Sequence, residues 1–260
     1  MGHKLKDKKI LIKIFNGMYI LETKNLIKSF GGVHAIDHLS INFQKGKITG
    51  LVGPNGSGKT TLINVLSGFF PHDSGTVFFS ETKRKKIQPK DNQVYNITRT
   101  FQQIRLFDKM SVFDNILVIL TERDPFLALF ERHNEYHLNR AIEILKKIDL
   151  YEKRNENAGS ISYGQRKLLE IGRVLAMNTN IILFDEPFAG LFPEIIKKIE
   201  DIIKELREEG KTIILIEHNM SIIRTLCDHL IVLDAGKLLA EGNPEKVLSE
   251  KIVLEAYLGE

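Results

Sequence analysis

Cysteine is nearly absent from this sequence: Cys227 stands alone among 260 residues. One thiol can form neither an intrachain disulfide nor a zinc cluster, so a reducing interior compartment is the natural setting and an inert helix position the natural role for Cys227. Long apolar runs are missing too. Stretches such as Phe126–Phe130 reach about five residues, far short of the roughly 18 to 20 that span a bilayer, and the chain is not expected to cross one itself. There is no internal repeat and no low-complexity linker. Charge of one sign is not in large excess. Lys and Arg number 37 against 33 Asp and Glu, and the net +4 is too diffuse to argue for nucleic acid. The block Glu81–Lys90 is rich in lysine but has no interleaved aromatics, so it reads as a solvated hairpin loop. Met1–Asn16 is basic, its apolar Ile10–Phe15 is short, and no small-residue cleavage site follows. It reads as an extension (1–17) and not a signal peptide, with recognisable pattern beginning at Met18.

What is present is an ordinary globular composition, 43% apolar and 27% charged, in a length that fits one domain or one domain with an inserted subdomain. Alternating apolar residues predict strands at Tyr19–Thr23 and Leu39–Phe43. Ile48–Val52 is a short apolar run that leads into a glycine-rich loop, and helical pattern follows from Lys59 to Ser67. Helical spacing returns from about Met110 to Ile148, broken at Asp124-Pro125, and again from Gly164 to about Met177. Ile181–Phe184 and Thr212–Ile216 read as buried strands. Pro193–Glu208 reads as a helix with Pro at its start and Gly210 past its end, and Ala235-Gly236 turns a terminal hairpin. Apolar strands alternating with helices predict an α/β fold with a mostly parallel sheet covered on both faces.

Gly53-Pro54-Asn55-Gly56-Ser57-Gly58-Lys59-Thr60 matches G-x-x-x-x-G-K-[ST] in full. Glycines let successive backbone N–H groups converge on phosphate oxygens, and the helix that follows presents its N-terminus to the anion. Lys59 is placed to reach the β/γ oxygens of ATP, and the Thr60 hydroxyl to ligate Mg²⁺. The strand Ile181–Phe184 ends in Asp185-Glu186. Alone this could be a solvated acidic turn. In a chain with a phosphate loop it reads as a Mg²⁺-holding acid followed by a water-activating acid. His218 follows the strand Thr212–Ile216 and could be structural or could reach the γ-phosphate.

Ser160-Ile161-Ser162-Tyr163-Gly164-Gln165 resembles the LSGGQ signature of ABC ATPases, with Ile for Leu and Tyr for the first Gly, shortly before the Asp185-Glu186 strand end. The resemblance spans about residues 18 to 260. It implies a P-loop NTPase (RecA-like) core at 18–102 and 164–243 with an N-terminal antiparallel β subdomain. A helical subdomain is inserted at 103–163 and a helical tail covers 244–260. By the same resemblance Phe30 stacks on adenine, and Gly53–Thr61, including Thr61, cradles the phosphates. Gln102 is the Q-loop glutamine, Asp185 and Glu186 are the Walker B aspartate and catalytic glutamate, and His218 is the switch histidine. Ser162, Gly164 and Gln165 cover ATP held by a second ATPase subunit. Mg²⁺ falls to Thr60, Gln102 and Asp185.

Lys28-Ser29-Phe30-Gly31-Gly32, Arg99–Gln102, Glu186–Leu191 and the tail Ala256–Glu260 look most like the ATPases of branched-chain amino acid importers. Urea and short-amide importers and lipopolysaccharide-extracting exporters have similar ATPases. Membrane permease subunits and, indirectly, an extracytoplasmic solute-binding protein are the implied partners, at the inner face of a membrane. One residue departs from the family: Phe192 follows Ala189-Gly190-Leu191 where many members have aspartate, and a phenyl ring cannot accept a hydrogen bond across a dimer. Two other classes compete. An ABC protein acting on DNA or ribosomes would carry long coiled coils or two ATPase units, and this chain has neither. A P-loop kinase or GTPase would explain the loop but not Ser162–Gln165.

Overall fold

The computed structural model describes residues 17–80, 82–84, 88, 95–121 and 135–258. The extension 1–16, most of the basic block at 81–90 and the Asp124-Pro125 break lie outside them. In chain order the elements are β1 (Tyr19–Phe30), β2 (Val33–Leu39), β3 (Asn42–Gln44), β4 (Ile48–Val52), α1 (Lys59–Leu66), β5 (Ser74–Phe79), β6 (Thr82–Arg84) and β7 (Ile97–Arg99). Then come α2 (Val112–Leu120), α3 (Glu135–Lys147), α4 (Tyr163–Met177), β8 (Ile181–Asp185), α5 (Pro193–Glu208), β9 (Thr212–Ile216), α6 (Met220–Leu226), β10 (His229–Asp234), β11 (Lys237–Gly242), α7 (Pro244–Val247) and α8 (Lys251–Leu258). The chain divides into two compact units, Met1–Ile97 with Asn180–Phe184 and Glu205–Glu260, and Thr98–Thr179 with Asp185–Lys204.

In the first unit β4 and β9 are buried at every residue and pair in parallel, and β4 also pairs in parallel with β10. Strands covered on both faces must be apolar throughout, which is why Ile48–Val52 and Thr212–Ile216 show no alternation. The sheet order is β11-β10-β4-β9-β8-β7. A second sheet, antiparallel in its registered pairs, is built around β1. Leu21, Leu51, Leu62, Ile63, Leu183, Ile214 and Ile231 meet in one core cluster of this unit.

Two strand expectations need correction. β1 does not end at Thr23 but runs to Phe30, because shifts in pairing near Asn25, at φ 47°, restart the ladder where Lys24-Asn25 breaks the alternation. Leu39–Phe43 is two strands. β2 pairs with Leu26–Phe30 and β3 with Tyr19–Glu22, the two ends of β1, and the chain passes from one end to the other at Ser40, whose Oγ accepts from Asn25 N–H at 2.9 Å.

In the second unit α2, α3 and α4 pack through the buried Ile116, Ile144, Leu145, Ile148 and Leu169. Ser111 caps α2 by accepting from the Asp114 N–H. Ser162 caps α4 in a full capping box: its Oγ accepts from Gln165 N–H, and Gln165 Oε1 accepts from Ser162 N–H at 3.0 Å. Asn178, at φ 47°, closes the far end of α4 in the left-handed conformation. Among the described residues no helix is long and apolar enough to cross a membrane.

Candidate active site

The first unit carries the phosphate loop. It leaves β4 and enters α1 through Gly58, at φ 100°. Gly53 stands at φ 148°, and a Cβ there would sit 2.1 Å from the Leu233 carbonyl oxygen and 2.7 Å from Ser57 Oγ, so only glycine fits. Lys59 is 6% exposed, folded back so that its Nζ donates to the carbonyls of Gly53 at 2.8 Å and Pro54 at 2.9 Å. Ser57 is buried, Pro54 and Thr61 are half-buried, and Asn55, Gly56 and Thr60 are exposed. Phe30 ends β1 with 44% of its surface exposed. Its ring lies edge-on to Phe70 at 5.4 Å, and Lys28 Nζ lies 5.0 Å from the ring centre. His218 is exposed just beyond β9. Its backbone N–H and that of Asn219 donate to Glu217 Oε2 at 2.9 and 3.2 Å, so a buried acid pins the turn that carries the histidine.

The second unit carries the acidic strand end. Asp185 is 2% exposed and accepts from Arg99 Nη2 at 2.9 Å, and its N–H donates to Thr100 Oγ1 at 3.1 Å. Burial outweighs the favourable pull of Asp185 and lowers the pKa of the Arg99 guanidinium. Glu186 takes φ 50°, a left-handed backbone that an L-residue with a side chain adopts at a cost. Gln102 Nε2 donates to Glu186 Oε2 at 3.3 Å, which joins the two residues. Ser162, Gly164 and Gln165 form the N-terminal turn of α4 beside Tyr163, which is 51% exposed, and Phe192 is 76% exposed.

Sequence reasoning missed two supports. Arg99 is the ion partner of Asp185, and Glu217 is the clasp on the His218 turn. The available signal was a lone cation in the short strand Ile97–Arg99 and an acid immediately before the histidine. It also missed a cavity of about 350 Å³ in the second unit, lined among others by Arg99, Phe101, Arg105, Phe107, Arg173 and Met177. Arg105 stacks on Phe101 at 3.9 Å and Arg173 lies 5.1 Å from the Phe107 ring, while burial lowers the pKa of Arg173.

A family model described as ABC transporter matches residues 36–189. The chain belongs to the ABC transporter family. This ABC ATPase, an ATP hydrolase, is 39% identical over 94% of its length to a protein of Methanocaldococcus jannaschii named probable branched-chain amino acid transport ATP-binding protein LivG, 98% of which it covers. It is 35% identical over 93% of its length to the high-affinity branched-chain amino acid transport ATP-binding protein LivG of Escherichia coli K12, again covering 98% of it. Among solved structures, the ADP conformation of an ATP-binding cassette of an ABC transporter matches with a TM-score of 0.82 at 38% identity, over 94% of this ABC ATPase and 100% of that chain. A dimeric ATP-binding cassette bound to ADP and Pi matches at 0.75 and 26% identity, over 86% of this chain and 98% of that one.

Proposed function

We propose that this ABC ATPase powers uptake of a small polar solute, branched-chain amino acids foremost, as one half of a dimer that closes on ATP at the inner face of a membrane. The observation that carries the reading is the likeness, over nearly the whole chain, to ATPases named for branched-chain amino acid transport.

In this reading Lys59 trades its bonds to the loop carbonyls for the β/γ-phosphate oxygens, while the N–H groups of Gly53–Thr61 cradle the phosphates. Phe30 stacks on adenine. The oxygen donors Thr60, Gln102 and, through water, Asp185 suit a hard divalent cation and would hold Mg²⁺, which supplies charge neutralisation to the phosphates when bound. Glu186 orients and deprotonates the attacking water, and the Gln102 contact fixes its carboxylate. His218 stabilises the charge that develops on the γ-phosphate. Ser162, the Gly164 N–H and Gln165 cover the γ-phosphate held by a second ATPase subunit, presenting the positive end of α4. Phe192 removes the hydrogen-bond acceptor that many family members place there, which weakens cross-talk between the two ATP sites. The cavity beside Gln102–Phe107 receives a segment of a transmembrane permease subunit, so that dimer closure moves the membrane partner. A solute-binding protein outside the membrane delivers the solute.

The test is ATP turnover by the complex purified with its own permease subunits and solute-binding protein, with leucine, isoleucine or valine added and urea as comparator. Stimulation by a branched-chain amino acid is expected. Stimulation by urea alone, or by neither, overturns the amino acid assignment.

A further inference from the structure

We propose that Asp73 is a positioning residue for Phe30, clamping the end of β1 through both carboxylate oxygens and so fixing the ring that meets adenine. This rests on the reading that Phe30 stacks on the adenine of ATP.

Asp73 lies immediately before β5, whose first residue Ser74 pairs with Ile27 of β1. Its N–H donates to the Ile27 carbonyl at 2.8 Å. The carboxylate reaches further along β1: Oδ2 accepts from Ser29 N–H at 2.7 Å, and Oδ1 accepts from Lys28 Nζ at 2.9 Å. One aspartate therefore holds three consecutive residues, Ile27, Lys28 and Ser29, directly before Phe30. The two carboxylate contacts are charge-assisted, the shorter and stronger kind of hydrogen bond. Lys28 first, and then the Ser29 N–H, hold the Asp73 carboxyl below its ordinary pKa, so the clamp is ionised at neutral pH.

The ring needs restraint from this side. Beyond Phe30 the hairpin tip is open: Gly31, Gly32, Val33 and His34 are all exposed, so packing there does not orient the ring. On the inner side Lys28 Nζ lies 5.0 Å from the Phe30 ring centre, and the Phe70 ring stands edge-on to it at 5.4 Å. Lys28 is 9% exposed, and its ammonium is the one that Asp73 holds. Asp73 thus fixes both the backbone that carries Phe30 and the cation beside its ring, while 44% of Phe30 stays open to receive a base.

The test is a double-mutant cycle in the full chain, with MgATP and magnesium tripolyphosphate titrated by calorimetry. Phe30→Ala is expected to weaken MgATP binding about 10-fold, the scale of one base stacked on an aromatic ring. Asp73→Ala is expected to weaken it about 3- to 5-fold, since the ring is misplaced but not removed, and to leave tripolyphosphate binding unchanged. In the Phe30→Ala background, Asp73→Ala should have no further effect. An equal loss for ATP and tripolyphosphate, or a full loss in the Phe30→Ala background, overturns the proposal, because the aspartate then acts on the fold and not through the ring. If Phe30→Ala binds MgATP like the parent, the adenine-stacking reading fails; if it weakens binding and Asp73→Ala does not, only the role of Asp73 fails. Should Asp73→Ala not fold, Asp73→Asn, which keeps an acceptor for Ser29 and loses the ion pair, takes its place under the same criteria.

Discussion

At the phosphate loop the proposed phosphate-binding groups are mostly backbone amides, and only glycine fits at Gly53. At the end of β8 they are side chains held by other side chains: Arg99 on Asp185, Gln102 on Glu186, Thr100 on the Asp185 amide. In the first arrangement the lysine bonds are local, Lys59 Nζ to the Gly53 and Pro54 carbonyls, although the carbonyl that bars a Cβ at Gly53 comes from the distant Leu233. The second depends on residues more than eighty positions apart in the chain. Members of a side-chain network are coupled, so removal of one is felt by the others. The two regions also treat strain differently. The loop places its positive φ angles on glycine, while the acidic end places one on Glu186.

The strongest way to break this contrast is Glu186→Gln, which leaves the network's shape but removes the proposed base. Turnover is expected to fall about 10²- to 10⁴-fold, and MgATP to hold the variant as a stable dimer with its partner ATPase. A monomer that hydrolyses ATP like the parent would end the assignment of Glu186. Lys59→Ala comes next. MgATP affinity should drop about 100-fold, the order expected for removing charge-assisted bonds to phosphate, with secondary structure unchanged by circular dichroism.

Arg99→Ala attacks the network's support. It leaves the carboxylate of Asp185 buried without its cation, and unfolding free energy should fall by about 3–5 kcal/mol in denaturant titration. A loss as small as that of an exposed pair would show that the network is not what holds the strand end. Glu186→Gly sharpens the comparison from the other side. Relief of the left-handed backbone should stabilise the fold by about 1 kcal/mol while turnover disappears, a direct reading of strain kept for function.

The smallest effect concerns Cys227. Burial, with Asp228 and Glu217 adding to it, pushes its thiol pKa up to about 12. The folded state therefore keeps the proton that the unfolded state releases from its ordinary value of 9.0, and the thiol's contribution to stability is lost as pH rises between those values. At neutral pH a thiol reagent should label Cys227 only after unfolding, and rapid labelling of the native protein would contradict the burial.

Much of the site was legible because its chemistry is compressed into short motifs. Gly53–Thr60 specifies a loop, a helix start and a charge in eight consecutive positions. Ser162 and Gln165 read in the sequence only as part of the signature motif, and the structure adds that they close a capping box on α4. Long apolar strands such as Thr212–Ile216 could be read because burial on both faces leaves a continuous apolar run. The strand edges were not legible. Lys24-Asn25 interrupts the alternation locally, but that β1 resumes pairing beyond it, and that Leu39 and Phe43 belong to different strands, is set by the neighbouring strand.

By itself, the sequence pointed to an anion cradle, an acidic strand end and a family. Each is encoded by residue type at fixed short spacing, where chain geometry leaves few alternatives. Only the tertiary structure decided that Arg99 serves Asp185 and that a buried Glu217 clasps the His218 turn. The first joins residues 86 positions apart and the second is local, but the burial that makes each pairing matter exists only once the chain has folded around it.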